Sequence, residues 1–235
     1  MWGFGENICK YLGYNENDDN NKYVLIEELN GRKINQFFGH HKGNLHVYHH
    51  VIFAKNNDNE IYFWGSNKFG ELGRGFKTDQ QLCPKLNENF GNNLIEIRCS
   101  DDHCLAPYSD GVVYGWGHND RHQISGDDIK FYETPTPIEK LEHRIKSICC
   151  FFHSSIALTL MGLIYFYDSQ QSVDYNLPGE IITKFNYGID RILLQTSDSL
   201  YLRDKNVECS KKNRLQEYFR IFFDPKADNI PKCLY

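Results

Sequence analysis

The chain has 235 residues, of which 24% are charged, 40% hydrophobic and 14% aromatic. This composition provides enough apolar surface for a core and excludes disordered, collagen-like and low-complexity classes. No apolar run approaches the roughly 18 residues that a membrane span needs. The formal net charge is −5, which disfavours a nucleic-acid partner because such binding depends on clustered Lys and Arg.

The N-terminus, which begins Met1-Trp2-Gly3-Phe4, has neither the basic region nor the apolar stretch of a secretory signal. We therefore expect the chain in the cytoplasm, the nucleus or both. Its eight cysteines include no Cys-x-x-Cys pair, so a zinc ribbon is not indicated. We expect reduced thiols that pack as small hydrophobic groups, and no metal or cofactor.

Trp-Gly landmarks divide the chain into repeats. Trp2-Gly3, Trp64-Gly65 and Trp116-Gly117 are three of them, and Phe166-Tyr167 stands at the corresponding place in a later copy. The last three lie roughly fifty residues apart, and a period near fifty with four short strands is typical of a β-propeller blade. We expect Trp64 and Trp116 to pack between adjacent blades.

A hairpin is predicted before each of the later landmarks. Asn57-Asp58-Asn59 and Ser109-Asp110-Gly111 separate alternating apolar segments, and Leu160-Met161-Gly162 occupies the same place in the next copy. Asp, Asn and Gly suit such turns because they accept positive φ. A histidine precedes the landmark by 13 residues in each of two copies: His103 precedes Trp116, and His153 precedes Phe166. We expect them to be structural, with a ring nitrogen bonded to the backbone of a neighbouring blade.

These landmarks resemble the regulator of chromosome condensation repeat, over roughly residues 1 to 203. The family motif, Trp-Gly-x-Asn-x-x-Gly-Gln-Leu-Gly-x-Gly, is matched by residues 64–75, with Glu71 in place of the glutamine. Later copies match at His103, Asp110-Gly111, residues 116–119 and residues 153–159. The residues expected to carry the repeat structurally are Trp64, Gly65, Gly70, Gly73, His103, Gly111, Trp116, Gly117 and His153.

The resemblance implies an all-β, β-propeller-like repeat protein. The family's usual ring has seven blades, whereas this chain has about four, which implies a partial or divergent ring. The chain is accordingly divided into repeats at 1–203 and a short C-terminal docking segment at 204–235. Open blade edges invite pairing, so self-association is a further expectation.

The resemblance also implies a partner site. Asp101 and Asp102 precede the repeat histidine, where acidic residues of the founding family member contact a Ran-type small GTPase and promote nucleotide release. The alternative is a solvated turn in which the two carboxylates cap local amides. We expect a loop position and therefore little loss of stability when both are replaced.

The C-terminal segment has two interpretations. A basic patch at Lys205–Arg214 precedes apolar residues between Leu215 and Phe223 at helical spacing, although Phe219 to Phe223 also suits a closing strand. We expect this apolar face to cover the edge of the last blade; an exposed partner-binding motif is the alternative.

Five histidines between His40 and His50 form a local cluster without cysteine or carboxylate ligands. Histidine-rich tracts sometimes bind metals, but no coordination spacing is present. No nucleophile elbow or phosphate-binding loop occurs either, so we expect a protein without catalytic activity of its own.

The favoured function is a non-catalytic protein-interaction scaffold. A guanine nucleotide exchange factor for a Ran-type small GTPase is the first alternative and a chromatin-binding regulator the second. The expected partner is a protein, either a small GTPase of that type or a ubiquitin-pathway protein, and not a membrane.

Overall fold

The structure is a computed structural model that describes residues 1–3, 23–39, 51–138, 141, 144–151, 153–167, 173–175, 177, 179–187, 191–204 and 219–221. These residues form strands and one 3-10 turn, Glu27–Leu29, without an α-helix. The described part of the chain thus has no helix with the length and apolar character that a membrane crossing requires.

Four sheets of four strands follow one another along the chain. Sheet I contains β3 (Ile34–Gly39), β4 (Val51–Asn56), β5 (Ile61–Ser66) and β6 (Gln80–Asn87). Sheet II contains β7 (Arg98–Cys99), β8 (His103–Pro107), β9 (Val113–His118) and β10 (Phe131–Pro137). Sheet III contains β11 (Ile145–Phe151), β12 (Ser154–Thr159), β13 (Ile164–Tyr167) and β14 (Val173–Tyr175). Sheet IV contains β15 (Lys184–Tyr187), β16 (Arg191–Gln195), β17 (Leu200–Asp204) and β18 (Phe219–Ile221). Before them, β1 (Trp2–Gly3) pairs with β2 (Val24–Leu25).

Each four-stranded sheet is an antiparallel meander in which consecutive strands are neighbours. The central hairpins of sheets I, II and III close at the predicted turns, where Asn59, Gly111 and Gly162 adopt positive φ. The repeat glycines of the Trp-Gly motif do the same, at Gly65, Gly70, Gly73 and Gly117. The prediction of an all-β fold with about four propeller-like blades is confirmed, and the blades form a partial ring.

Successive sheets bury a shared core, because one twisted sheet cannot cover both of its faces. Trp116 of sheet II is fully buried and makes edge-to-face contacts with Phe53 of sheet I and with Phe90, at centroid distances of 6.1 and 5.2 Å. Its indole ring also covers Gly73, where an added Cβ would lie 3.2 Å from the ring. Trp116 therefore packs between two blades.

Trp64 packs on the other side of sheet I. It is buried in a cluster with Ala54 and Tyr62 of the same sheet and with Ile26 and Leu29 of the N-terminal segment. The N-terminal segment thus takes the place that a preceding blade would occupy against this tryptophan.

The C-terminal segment contributes the outer strand of sheet IV. Phe219–Ile221 pairs antiparallel with β17, so these three residues cover the edge of the last blade as a strand. The rest of that segment, including the basic patch, lies outside the described residues. The division at residue 203 stays a prediction, although β17 continues to Asp204.

Replacing Trp64 or Trp116 with Ala is expected to cost about 3–5 kcal/mol of unfolding free energy, the range for a buried large aromatic. The matched control is Phe37→Ala, because Phe37 is about half exposed on β3. Urea unfolding checks both variants. A loss below about 1 kcal/mol at either tryptophan would contradict the packing described above.

Candidate functional site

The candidate site is built on the loop that joins β7 to β8. Ser100 and His103 close this loop through a backbone hydrogen bond from Ser100 N–H to His103 O of 2.8 Å. Across the hairpin, His103 faces Gly117. An added Cβ at Gly117 would lie 2.4 Å from the Asp102 carbonyl oxygen, so only glycine allows β9 to approach so closely. This approach places His118 beside Asp102.

The Asp102 carboxylate is the centre of the site. Its Oδ1 lies 2.9 Å from Nδ1 of His103, and its Oδ2 lies 3.2 Å from Nδ1 of His118 and 3.1 Å from Nδ1 of His153. His103 and His118 belong to sheet II, whereas His153 lies between β11 and β12 of sheet III. One carboxylate therefore joins two blades.

The Asp102 carboxylate is ionised in this setting. Burial alone would raise its pKa, but hydrogen bonds from His103 and His153, together with the charge of His103 and the bond from His118, hold it well below its ordinary value. In return, the hydrogen bond to Asp102 raises the pKa of His153. Because an ionised carboxylate only accepts hydrogen bonds, each of the three Nδ1 atoms carries the proton.

The structure corrects the expectation that Asp102 is a surface residue whose removal leaves stability unchanged. Its exposed fraction is 4%, because the three histidines and Ser100, whose hydroxyl lies 3.1 Å from Oδ1, enclose it. Asp101, in the same loop, is half-buried. The role of these two residues in partner binding stays a prediction.

A serine, a histidine and an aspartate are connected here in the order found in hydrolytic enzymes. His103 Nε2 lies 2.8 Å from Ser155 Oγ of sheet III, while its Nδ1 faces Asp102. The exposed fractions are 1% for Ser155 and 0% for His103, so no substrate can reach the hydroxyl. These three side chains form a clamp between sheets II and III. The partner of His103 on sheet III is the side-chain oxygen of Ser155, not the backbone group that the sequence predicted.

A stack of flat side chains lies beside the clamp. The His118 ring lies nearly parallel to Phe69 and Phe131, at centroid distances of 4.6 and 5.0 Å with interplanar angles of 11°, and the two phenylalanine rings are 6.3 Å apart. Lys77 Nζ lies 3.8 Å from the Phe131 centroid. Since Phe69 belongs to the loop after β5, these aromatic contacts join sheet I to sheet II, at the end of the strands where Asp102 lies.

A second buried carboxyl group, Glu71, holds the loop after β5. Its Oε2 accepts the Phe69 amide at 2.7 Å and its Oε1 accepts the Ser66 hydroxyl at 3.2 Å, while its carbonyl oxygen accepts Trp116 Nε1–H at 2.7 Å. Burial raises the pKa of Glu71 to about 7, although the hydrogen bonds that its carboxyl group accepts from Phe69 and Ser66 oppose the rise. The charge of Asp102 adds to it.

The next repeat contains the neutral counterpart of Glu71. Gln123 occupies the equivalent place and its Oε1 accepts the Arg121 amide at 2.9 Å, as Glu71 accepts that of Phe69. Both repeats therefore place a buried acceptor at this position, although among the described residues Gln123 Nε2 has no hydrogen-bond partner.

Sequence reasoning singled out His103 and His153 but missed His118 and Gln123. The signal for His118 was present: it directly follows Trp116-Gly117 on β9, which antiparallel pairing places across from Asp102. The histidine cluster between His40 and His50 lies outside the described residues. Within them, no group of three or more His, Cys, Asp or Glu side chains is arranged to hold a metal ion.

Removing the Asp102 carboxylate is expected to destabilise the fold strongly. Asp102→Ala leaves buried histidine donors without their acceptor, and breaking a buried charged pair costs about 3–5 kcal/mol. Asp128→Ala, at an exposed carboxylate in the segment between β9 and β10, is the matched control, with an expected change within about 0.5 kcal/mol. Urea unfolding at pH 7 measures both, and equal effects would contradict the central role of Asp102.

The pH dependence of this contribution follows from the lowered pKa of Asp102. The contribution is present above the ordinary carboxyl value of 3.8 and is lost as the pH falls toward the lower folded value. The wild type and Asp102→Ala should therefore become closer in stability in acid.

Glu71→Gln is expected to stabilise the protein above pH 7. A carboxyl group whose pKa rises from 4.5 to about 7 on folding stabilises most below pH 4.5 and loses that contribution as the pH rises through 7. At about 1.4 kcal/mol per pKa unit, the advantage of Gln over Glu should grow by about 3 kcal/mol between acid and pH 8. Gln123→Glu is the mirror-image variant and should become less stable over the same range. Parallel pH profiles for wild type and Glu71→Gln would refute this assignment.

Comparison with known proteins agrees with the geometry. Residues 58–106 match the family model of the regulator of chromosome condensation (RCC1) repeat. The ultraviolet-B receptor UVR8 of Arabidopsis thaliana is 28% identical over 165 residues, which is 70% of this chain and 36% of that protein. The probable E3 ubiquitin-protein ligase HERC4 of Homo sapiens is 28% identical over 120 residues, half of this chain and 11% of that protein. The chain thus spans about a third or less of these relatives.

Solved structures share the fold. Human WBSCR16 superposes with a TM-score of 0.64 at 17% identity, covering 94% of this chain and 62% of that one. Yeast RCC1 (Prp20), solved with Kap60, gives a TM-score of 0.60 at 18% identity, covering 86% of this chain and 51% of that one. Residues 58–106 thus match the regulator of chromosome condensation repeat, and the solved structures, at 17% and 18% identity, show that the chain shares the propeller fold.

Proposed function

We propose that this chain is a non-catalytic protein-interaction scaffold and that it binds its partner at the end of the sheets where Asp102 lies. The observation that carries the proposal is that the buried polar groups there hold the sheets together. The side chains of Asp102, His103 and Ser155 form hydrogen bonds that join sheets II and III. They therefore fix the loops at this end, and the more exposed residues of those loops, which we call the rim (Asp101, Asp120, Arg121 and His153), are left to contact a partner.

The exposed groups at this rim are charged and close together. The His153 side chain is 59% exposed, and Asp120 and Arg121 lie near enough to influence its pKa. Asp120 is also held by His118, whose Nε2 lies 3.2 Å from its Oδ1. Asp101 belongs to the same rim. Groups of both signs, held by a rigid support, are suited to recognising a partner through charge complementarity.

The second candidate function is nucleotide exchange on a Ran-type small GTPase. The position of Asp101 before the repeat histidine favours it. A structure of yeast Prp20p, whose binding to Gsp1p and histones has been described, shares the fold with a TM-score of 0.52. Four blades provide only part of a seven-bladed rim, which favours the scaffold over the exchange factor.

The rim is tested by reversing its charges. Asp101→Arg combined with Arg121→Glu should abolish retention of proteins that wild type captures from lysate, because the pattern of charges at the rim is inverted while Asp102 and its histidine partners stay in place. Asn57→Ala combined with Asp58→Ala, at the opposite end of the strands, is the control and should capture like wild type. Equal capture by all three proteins would refute the rim.

Release of fluorescent GDP from a purified Ran-type GTPase separates the two functions. The scaffold predicts no acceleration by the wild-type chain. Acceleration that is lost in the charge-reversed variant would establish the exchange factor instead.

A further inference from the structure

The central hairpins of sheets I, II and III close with the same turn. The amide that follows the two tip residues donates to the carbonyl oxygen that precedes them, from Asn59 to Asn56 at 3.2 Å, from Gly111 to Tyr108 at 3.0 Å, and from Gly162 to Thr159 at 3.1 Å. The three tips are therefore structurally equivalent and can be compared residue by residue.

The tip of sheet III differs from the others in chemistry. Sheets I and II carry Asn57-Asp58 and Ser109-Asp110, and the corresponding turn of sheet IV carries Ser197-Asp198. Sheet III carries Leu160-Met161, whose exposed fractions are 58% and 70%. Asp110 illustrates what a polar tip contributes, since its carboxylate accepts the Val112 amide at 2.9 Å. Leu and Met contribute no such bond, so the turn itself does not explain them.

The apolar surface continues onto the next sheet. Ile181, in the segment before β15, is 64% exposed and lies over the turn: an added Cβ at Gly162 would lie 2.6 Å from Ile181 Cγ2. Leu160, Met161 and Ile181 thus form one exposed apolar patch, which we name the tip patch, at the junction of sheets III and IV. Contiguous exposed apolar surface of this kind marks interaction sites.

Cations border the tip patch. The Arg144 carbonyl oxygen accepts the Leu160 amide at 2.9 Å, and an added Cβ at Gly111 would lie 3.5 Å from Arg144 Cγ. Arg144 thus lies between the tips of sheets II and III, and Lys146 follows on β11. Both are exposed, and no ion pair within the described part of the chain engages either of them. The border therefore presents positive charge that no carboxylate of the described residues pairs, in a protein whose net charge is −5.

We propose that the tip patch docks a segment of a partner protein in which an apolar side chain is flanked by carboxylates. The apolar side chain covers Leu160, Met161 and Ile181, and the carboxylates pair with Arg144 and Lys146. This site is separate from the rim, because β8 and β12 run from the Asp102 end of the sheets to the hairpin tips at the other end. The proposal rests on the proposed function only in that the partner is a protein.

The test selects peptides on the full-length chain from a phage-displayed library of random dodecapeptides. Enriched sequences should combine Asp or Glu with Leu, Ile, Phe or Met. Synthetic copies should then bind wild type in fluorescence anisotropy and bind Leu160→Ser/Met161→Asp at least about tenfold more weakly, as expected for the loss of a central anchor. This variant carries the tip sequence of sheet II, so its thermal unfolding should match wild type.

Two further variants separate the contributions. Arg144→Glu/Lys146→Glu should weaken the same peptides, most strongly at low salt, because the pairing is electrostatic and exposed. Asn57→Ala/Asp58→Ala at the tip of sheet I should leave peptide affinity unchanged. The charge-reversed rim variant should also bind peptide like wild type, so failure of the rim and failure of the tip patch are distinguishable.

Several results would overturn the proposal. These are the absence of enriched peptides, enrichment of basic or uncharged sequences, and equal affinity for the tip variant. Sedimentation with phosphatidylserine vesicles that depends on Leu160 and Met161 would assign the patch to a membrane surface. A dimer in light scattering that the tip variant abolishes would assign it to self-association.

Discussion

The contact between sheets II and III depends on one ionised carboxylate. Apolar packing brings two sheets together but does not fix their relative position, because it lacks direction. Asp102 supplies that direction by accepting hydrogen bonds from three imidazoles, one of them, His153, on the neighbouring sheet. The Ser155 hydroxyl adds a second bond across the same junction. The loops at this end of the sheets are consequently placed by hydrogen bonds, and any binding surface on them is preorganised.

Two buried carboxyl groups in this protein respond to burial in opposite ways. Asp102 meets three donors that can neutralise it, so its pKa falls. Glu71 meets two backbone amides and one hydroxyl, none of which carries charge, so desolvation dominates and its pKa rises to about 7. Burial alone therefore does not determine the protonation state, and the neighbours of each oxygen decide it. This explains why Gln123 can replace a glutamate at the equivalent place in the next repeat, whereas no neutral group could serve all three histidines at Asp102.

The sequence predicted what repeats locally and missed what joins one repeat to the next. The hairpin turns, the strand order and the tryptophan core depend on residues within one period of about fifty, so Trp116 and Gly111 could be interpreted from their own surroundings. Asp102 could not, because the partner that buries it, His153, comes from the following repeat. An Asp in a loop is usually solvated, and only the arrangement of sheets II and III shows that this one is enclosed. The resemblance to a family contact position led to the same error about its exposure.

Access separates this clamp from a catalytic site. Ser155, His103 and Asp102 have the connectivity that activates a serine, yet activation has a consequence only if a substrate carbonyl can approach the hydroxyl. Here the same hydrogen bonds that would polarise Ser155 hold it under two sheets, with 1% of its surface exposed. Opening the site would require separating sheet II from sheet III, which would break the bonds that align the three groups. The arrangement can therefore stabilise the fold or expose the serine, but it cannot do both, and in the structure it stabilises the fold.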